Sequence, residues 1–305
     1  MRQYRFLTCD VFTDTAFGGN PLAVLPDAAG LDDRLMQAIA AEFNLSETIF
    51  VLPPADPAHT AAVRIFTPAT ELPFAGHPTV GCALVLAALA GEGGAEALVL
   101  EEKAGAVPVA LARDAATGRP LATFTAPRLP VLSTEGLPPA PVLAAVLGLE
   151  AGEVLTRLPL APAVCSAGVP FCIVPVEPQA IGRIRLNPAL WEAHLQAGPA
   201  PHLYAVALDD PQRPQSVRAR MFAPAMGIAE DPATGAGATA LAAWLDRLMP
   251  AVADDTVTLP VVQGVEMGRP STMHLAFDRR AGTLAAVRLG GTAVMVSEGT
   301  LAVPD

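Results

Sequence analysis

The sequence predicts an α+β protein of two pseudo-symmetric domains, each a mixed β-sheet or barrel wrapped around a central apolar helix. Three observations carry that expectation. Arg64-Ile65-Phe66-Thr67-Pro68-Ala69 recurs as Arg220-Met221-Phe222-Ala223-Pro224-Ala225 at an offset of 156 residues, and the alignment runs on without a gap to Gly81 and Gly237. One long-period echo marks a duplicated domain and not a short-period solenoid. Each copy passes from a strand-like segment through Pro into a turn-rich loop, Glu71 to Pro78 and Gly227 to Gly235, and then into a helix. Those helices, about Thr79 to Ala90 and about Ala236 to Leu248, are largely apolar. The first is apolar on every side, which demands burial all round, and a curved sheet is the economical cover.

The elements follow in order. Arg5 to Thr8 and Pro21 to Leu25 read as strands around the turn-rich Asp14-Thr15-Ala16-Phe17-Gly18-Gly19-Asn20. Asp32 or Asp33 caps a helix whose apolar Leu35, Ile39 and Phe43 recur every four positions, and Asn44 is its stop. Thr48 to Leu52 and Ala62 to Phe66 are strands leading into the first copy of the repeat, and Glu101-Glu102-Lys103-Ala104-Gly105 reads as a solvated turn. Pro127, Pro130, Pro138, Pro139 and Pro141 interrupt any helix or central strand, so the expected domains are 1–125 and 126–305. A helix near Val142 to Leu147 opens the second half. Gly168-Val169-Pro170-Phe171-Cys172-Ile173-Val174 then gives a second, fainter echo, of Gly19-Asn20-Pro21-Leu22-Ala23-Val24-Leu25.

Composition removes several function classes. Nineteen basic against thirty acidic residues give a net charge of −11, which argues against nucleic acid as a partner. Lys103 is the sole lysine, in an apparently solvated segment, so lysine Schiff-base chemistry is a poor expectation. The four cysteines show no C-x-x-C pair and the five histidines no metal-ligand spacing, so no metal is expected. The N-terminus lacks the apolar core of a secretory signal, and Val80 to Ala90 is about half of the roughly 20 residues a bilayer span needs. A cytoplasmic protein with reduced thiols and no membrane partner is expected.

A two-fold repeat of strand, loop and helix tends to bring its loops face to face, so an active site in the cleft between the domains would receive two helix N-termini, which suit a carboxylate. Glu47 stands between a helix end and an apolar strand, where desolvation favours a general acid/base; a solvated carboxylate at a strand entrance fits the same pattern. His77, after Gly76 at a helix start, could bind ligand or carry a proton, or simply be a structural cap. Asp231, ahead of Pro232, reads equally as an N-cap. Gly235-Ala236-Gly237-Ala238-Thr239-Ala240 formally fits a dinucleotide fingerprint, but a long loop separates it from its strand, and Asp254 and Asp255 precede the next strand instead of ending it. No G-x-S-x-G elbow or phosphate-binding G-x-x-x-x-G-K-[ST] loop occurs.

Asp10-Val11-Phe12-Thr13, Phe17-Gly18-Gly19-Asn20-Pro21, Asn44-Leu45-Ser46-Glu47-Thr48, Phe74-Ala75-Gly76-His77-Pro78-Thr79, Glu230-Asp231-Pro232-Ala233-Thr234-Gly235, Gln263-Gly264 and Met267-Gly268-Arg269-Pro270-Ser271 together resemble the PhzF-like isomerases of phenazine biosynthesis. The resemblance spans nearly the whole chain. It implies the diaminopimelate epimerase-like fold, a homodimer, and cofactor-free movement of a proton along a small unsaturated carboxylic acid, as in isomerisation of trans-2,3-dihydro-3-hydroxyanthranilate. It places the acid/base on Glu47 and substrate contacts on His77 and Asp231, with Ser46, Gly76, Gly235 and Ala236 among the positions that hold substrate. Related epimerases use one cysteine in each half; the matching positions here are Ala75 and a residue at or beside Pro232, which disfavours two-cysteine chemistry. The family's usual Gly-Ser-Ala is Gly235-Ala236-Gly237 in this chain, so a hydroxyl is missing near the substrate. A non-catalytic carboxylate-binding protein and an epimerase of another substrate are the alternatives.

Overall fold

The computed structural model describes residues 1–91, 96–115, 117–211, 214–248 and 254–304. The chain divides into two compact units, one formed by Met1–Pro127 with the segment from Leu289 onward, the other by Arg128–Arg288. Among the described residues no helix is long and apolar enough to cross a membrane.

The first unit contains β1 (Arg2–Val11), β2 (Asn20–Leu25), α1 (Asp33–Phe43), β3 (Glu47–Leu52), β4 (Ala61–Phe66), the short β5 (Glu71–Leu72), α2 (Gly76–Ala90), β6 (Ala97–Glu102), β7 (Gly105–Arg113) and β8 (Pro120–Thr125). α1 starts and stops as its sequence dictates. The Asp32 carboxylate accepts from the Leu35 N–H at 2.7 Å, and Asn44 ends the helix in the left-handed region at φ 51°. β2 and β3 run parallel, with Leu22 opposite Glu47, while β3 and β4 run antiparallel, with Thr48 opposite Phe66. α1 covers the outer face of this sheet, packing Met36, Ile39 and Ala40 on Leu25, Phe50 and Phe66. α2 lies against the other face and contacts β1, β2, β3, β7 and β8. Gly81 permits that approach, because a Cβ there would stand 2.5 Å from Leu22 Cδ2.

The second unit repeats the plan with β9 (Val131–Ser133), α3 (Ala140–Leu147), β10 (Ala163–Ser166), β11 (Pro170–Pro175), α4 (Pro188–His194), β12 (His202–Leu208), β13 (Val217–Ala223), β14 (Ile228–Asp231), α5 (Gly235–Asp246), β15 (Asp255–Gln263), β16 (Ser271–Arg280) and the part of β17 (Thr283–Gly291) before Leu289. β11 and β12 are parallel, β12 and β13 antiparallel, with Leu203 opposite Phe222. Here α3 and α4 cover the outer face, on Cys172, Val174, Leu203, Ala205, Ala207 and Phe222, and α5 packs on β9, β10, β11 and β16. The last strand, β18 (Ala293–Val303), pairs antiparallel with β1 in the first unit.

The duplicated hexapeptide has a physical role that is itself duplicated. Arg64 and Arg220 each lie 5.1 Å from the ring of the phenylalanine two residues on, Phe66 and Phe222. Each arginine also binds a glutamate of the following strand, Glu71 or Glu230. Strand, cation–π contact and charge-assisted hydrogen bonds form one unit made twice.

Three sequence expectations are corrected. The offset is not constant: the strands keep 156 residues, but the helices begin at Gly76 and Gly235, 159 apart, because the second loop is three residues longer. α2 is buried only from Gly76 to Val85 and then emerges, leaving Leu89 exposed. Glu102 is no part of a solvated turn, since the pleat sends Glu101 outward and Glu102 into the core beside α2.

Candidate active site

In the first unit, strand and helix deliver two ionisable groups to one place. Glu47 opens β3 on the face opposite Phe50, toward α2, and His77 is the second residue of that helix. Glu47 Oε2 and His77 Nδ1 are 3.4 Å apart, with the side chains 13% and 4% exposed. Burial pushes the His77 pKa down to about 3, the Pro21 carbonyl working in the opposite direction. The imidazole is therefore neutral at physiological pH, and its contact with Glu47 is a polar one and not an ion pair. Ser46, half-buried, precedes Glu47. Ala75, not His77, occupies the N-cap position of α2 and offers no side-chain hydrogen bond to the N–H groups of the helix start.

Glu102 lies behind this helix start. The Thr79 hydroxyl has one proton for two oxygen neighbours, Ala75 O at 2.8 Å and Glu102 Oε1 at 2.6 Å. Both contacts are satisfied together when the carboxyl brings its own proton. Burial agrees, raising the Glu102 pKa to about 8 against the hydrogen bonds from Thr79 and the Ala75 N–H. Resemblance did not reveal this residue, and its neighbours Glu101 and Lys103 disguised it.

In the second unit the N-cap of α5 is Thr234, which corrects the capping alternative for Asp231 and makes Thr234, not a residue beside Pro232, the counterpart of Ala75. Asp231 ends β14 and is buried. Its carboxylate accepts from the Thr234 hydroxyl at 2.5 Å, while Gln263 Nε2 donates to Asp231 O at 2.7 Å and to Thr234 Oγ1 at 2.9 Å. Gln263 Oε1 accepts from the Tyr204 hydroxyl at 3.1 Å and the Thr234 N–H at 3.3 Å. This closed network fixes the loop before Gly235, the first residue of α5; Ala236, half-buried, follows it at the position His77 takes in α2. Gly237 is where the resemblance implies alanine. The Tyr204 ring fills that space, 3.0 Å from where a Cβ would sit.

Gly264 completes the cradle. Its φ is +75°, and a Cβ would lie 2.4 Å from Arg269 O and 2.6 Å from Pro232 O. Gly264→Ala is expected to cost about 3 kcal/mol or more, combining left-handed strain with backbone overlap, and to loosen the Asp231 loop. Thermal melting of the variant checks it. A separate hollow of about 400 Å³ in this unit, lined by Val154, Leu155, Thr156, Arg157 and Leu208, holds none of these residues.

A duplicated sheet around a buried helix, with a carboxylate and a neutral imidazole at one helix start, gives this protein a site able to hold and move a proton. The profile described as "Phenazine biosynthesis-like protein" (PhzC-PhzF) matches residues 9–299, and the chain belongs to that family. It is 44% identical over 99% of both chains to an uncharacterised isomerase of Mesorhizobium japonicum. It is 34% identical to the trans-2,3-dihydro-3-hydroxyanthranilate isomerase of Pseudomonas aeruginosa, over 97% of this chain and 98% of that one. Among solved structures, a Bacillus anthracis phenazine biosynthesis protein of the PhzF family superposes with a TM-score of 0.87 at 25% identity, covering 99% of this chain and 100% of the other.

Proposed function

We propose that this isomerase moves a proton along a small unsaturated carboxylic acid of the trans-2,3-dihydro-3-hydroxyanthranilate type, with Glu47 as the acid/base. The observation that carries the reading is the Glu47–His77 pair at the start of α2. Glu47 takes the proton from a carbon beside the double bond. The C–H electron pair shifts through the double bond toward the carboxylate-bearing carbon, and Glu47, now protonated, returns the proton farther along the skeleton. No electrons enter or leave, so the step balances within the substrate.

His77, neutral, buried and held by the Pro21 carbonyl, stands 3.4 Å from Glu47 and contacts the substrate. The resemblance extends the reading to Ser46 and Gly76 beside Glu47 and, in the second unit, to Asp231, Gly235 and Ala236 as substrate contacts, and backbone N–H groups at a helix start suit an anionic group. A homodimer and a cytoplasmic location belong to the same reading, the first as an implication of the resemblance alone and the second in keeping with four free cysteines.

The test is proton NMR of the protein with trans-2,3-dihydro-3-hydroxyanthranilate in deuterated water. Conversion with solvent deuterium incorporated is expected; recovery of unchanged, unlabelled substrate rejects this substrate. Ala236 favours a second reading, because it stands where the family has serine and where the first unit has His77. On that reading the protein binds a small carboxylate without turnover, and any deuterium uptake dismisses it.

A further inference from the structure

The repeat, traced through the sheets, has a partner for Glu47 that the sequence comparison between the halves did not reach. Phe66 and Phe222 are equivalent in the duplicated hexapeptide. Thr48 pairs with Phe66 and Leu203 pairs with Phe222, so the residues just before them, Glu47 and His202, are equivalent as well. The parallel strands agree independently: Leu22 pairs with Glu47 and Phe171 with His202, each one residue after the echoed Pro21 and Pro170.

The two residues also share a face. In the first unit Phe50 and Phe66 pack under α1, which turns Glu47 to the α2 side. In the second unit Leu203, Ala205 and Ala207 pack under α3 and α4, so His202, Tyr204 and Val206 turn to the α5 side. Tyr204, the next residue along that face, meets the first turn of α5 at Gly237 and holds Gln263 of the Asp231 network. His202 is only 6% exposed, its ring lies 5.9 Å from that of Phe171, and its Nδ1 is buried with no hydrogen-bond partner among the described residues. A buried imidazole nitrogen left without a partner is costly unless a ligand supplies one. Burial also lowers its pKa, favouring the neutral ring that can donate from Nδ1 while leaving Nε2 without a proton.

We propose that His202 is a substrate-contacting residue, the second-half counterpart of Glu47, whose Nδ1–H donates a hydrogen bond to the carboxylate of a ligand held at the start of α5. The inference rests on the carboxylate-binding part of the proposed function and needs no turnover. It accounts for Ala236: the first unit places its imidazole on the helix, at His77, and the second places its own on the strand, at His202.

The experiment uses anthranilate, an aromatic carboxylate that does not isomerise. Its affinity is measured by calorimetry for wild type, His202→Phe, His202→Asn and His202→Gln, with ¹⁵N NMR of the histidine rings and a melting curve for each. A lost hydrogen bond to a charged acceptor is worth about ten- to hundred-fold in affinity. H202F is expected to lose that much while melting no lower than wild type; H202N, whose amide mimics Nδ1, is expected to recover most of it; and H202Q, which mimics Nε2, is not. The His202 Nδ1 resonance is expected to shift with anthranilate. An unmoved resonance, an affinity unchanged in H202F, or equal losses in H202N and H202Q overturn the proposal. Failure of the isomerase reading shows elsewhere, as unchanged trans-2,3-dihydro-3-hydroxyanthranilate with wild-type protein.

Discussion

Glu47→Gln is expected to lower kcat on trans-2,3-dihydro-3-hydroxyanthranilate by about 10²- to 10⁴-fold, the range that a positioned general acid/base supplies. The substitution keeps the shape and a polar contact to His77 but removes the group that can hold a proton between two carbons. KM is expected to change little, because the backbone N–H groups proposed to hold the carboxylate are untouched. Deuterium uptake from solvent should vanish with kcat. His77 adds a signature of its own. Burial holds it neutral far below the usual histidine range, so the kcat profile should show no limb from His77 between pH 5 and pH 8. Steady-state kinetics of the two proteins across pH, with mass spectrometry of the product formed in deuterated water, checks both statements. A Glu47→Gln enzyme within a few-fold of wild type would end the assignment.

Glu102→Gln is expected to flatten the fall of stability toward alkaline pH. The folded protein raises the Glu102 pKa to about 8, mainly by burial, whereas the unfolded chain returns it to the ordinary carboxylate range. The native state therefore holds a proton that the unfolded state has released. Its contribution is complete below the ordinary carboxylate pKa and is lost as pH rises through about 8. Between pH 6 and pH 8 that loss is on the order of 2 to 3 kcal/mol, at about 1.4 kcal/mol per pH unit. Gln keeps a carbonyl for the Ala75 N–H and an N–H for the Thr79 hydroxyl but cannot ionise. Wild type should lose markedly more than the variant between melting curves at pH 6 and pH 9. Parallel curves would show that Glu102 is ionised throughout. Because Ala75 caps the helix that carries His77, activity should fall over the same alkaline range in wild type and less in the variant.

The strands and helices near the candidate site were legible where local chemistry alone decides. Asp32 and Asn44 bound α1 because a short polar side chain at the N-cap and a left-handed residue at the C-cap act within one turn. The apolar runs before each turn-rich loop are β4 and β13, and the apolar helices are α2 and α5. The starts of those helices were read three residues late in the first half, which had placed His77 before the helix and not within it. Pro78 caused that, since it reads as a break from outside and is tolerated in a first turn, where its missing N–H has no helical partner to lose.

By itself the sequence determined the duplication, the class of fold and, through its motifs, the family with Glu47, His77 and Asp231 as the groups to watch. Those properties live in short stretches of chain. Only the tertiary structure decided which carboxylates and imidazoles are dry and what they meet. Glu101 and Glu102 are adjacent and chemically alike, yet the pleat of β6 sends one to solvent and one to the core. His202 has no local pattern to mark it, and its equivalence to Glu47 is fixed by the pairing of β12 with β13, because a strand's register sets which side chain faces the helix while the loops before it vary freely in length.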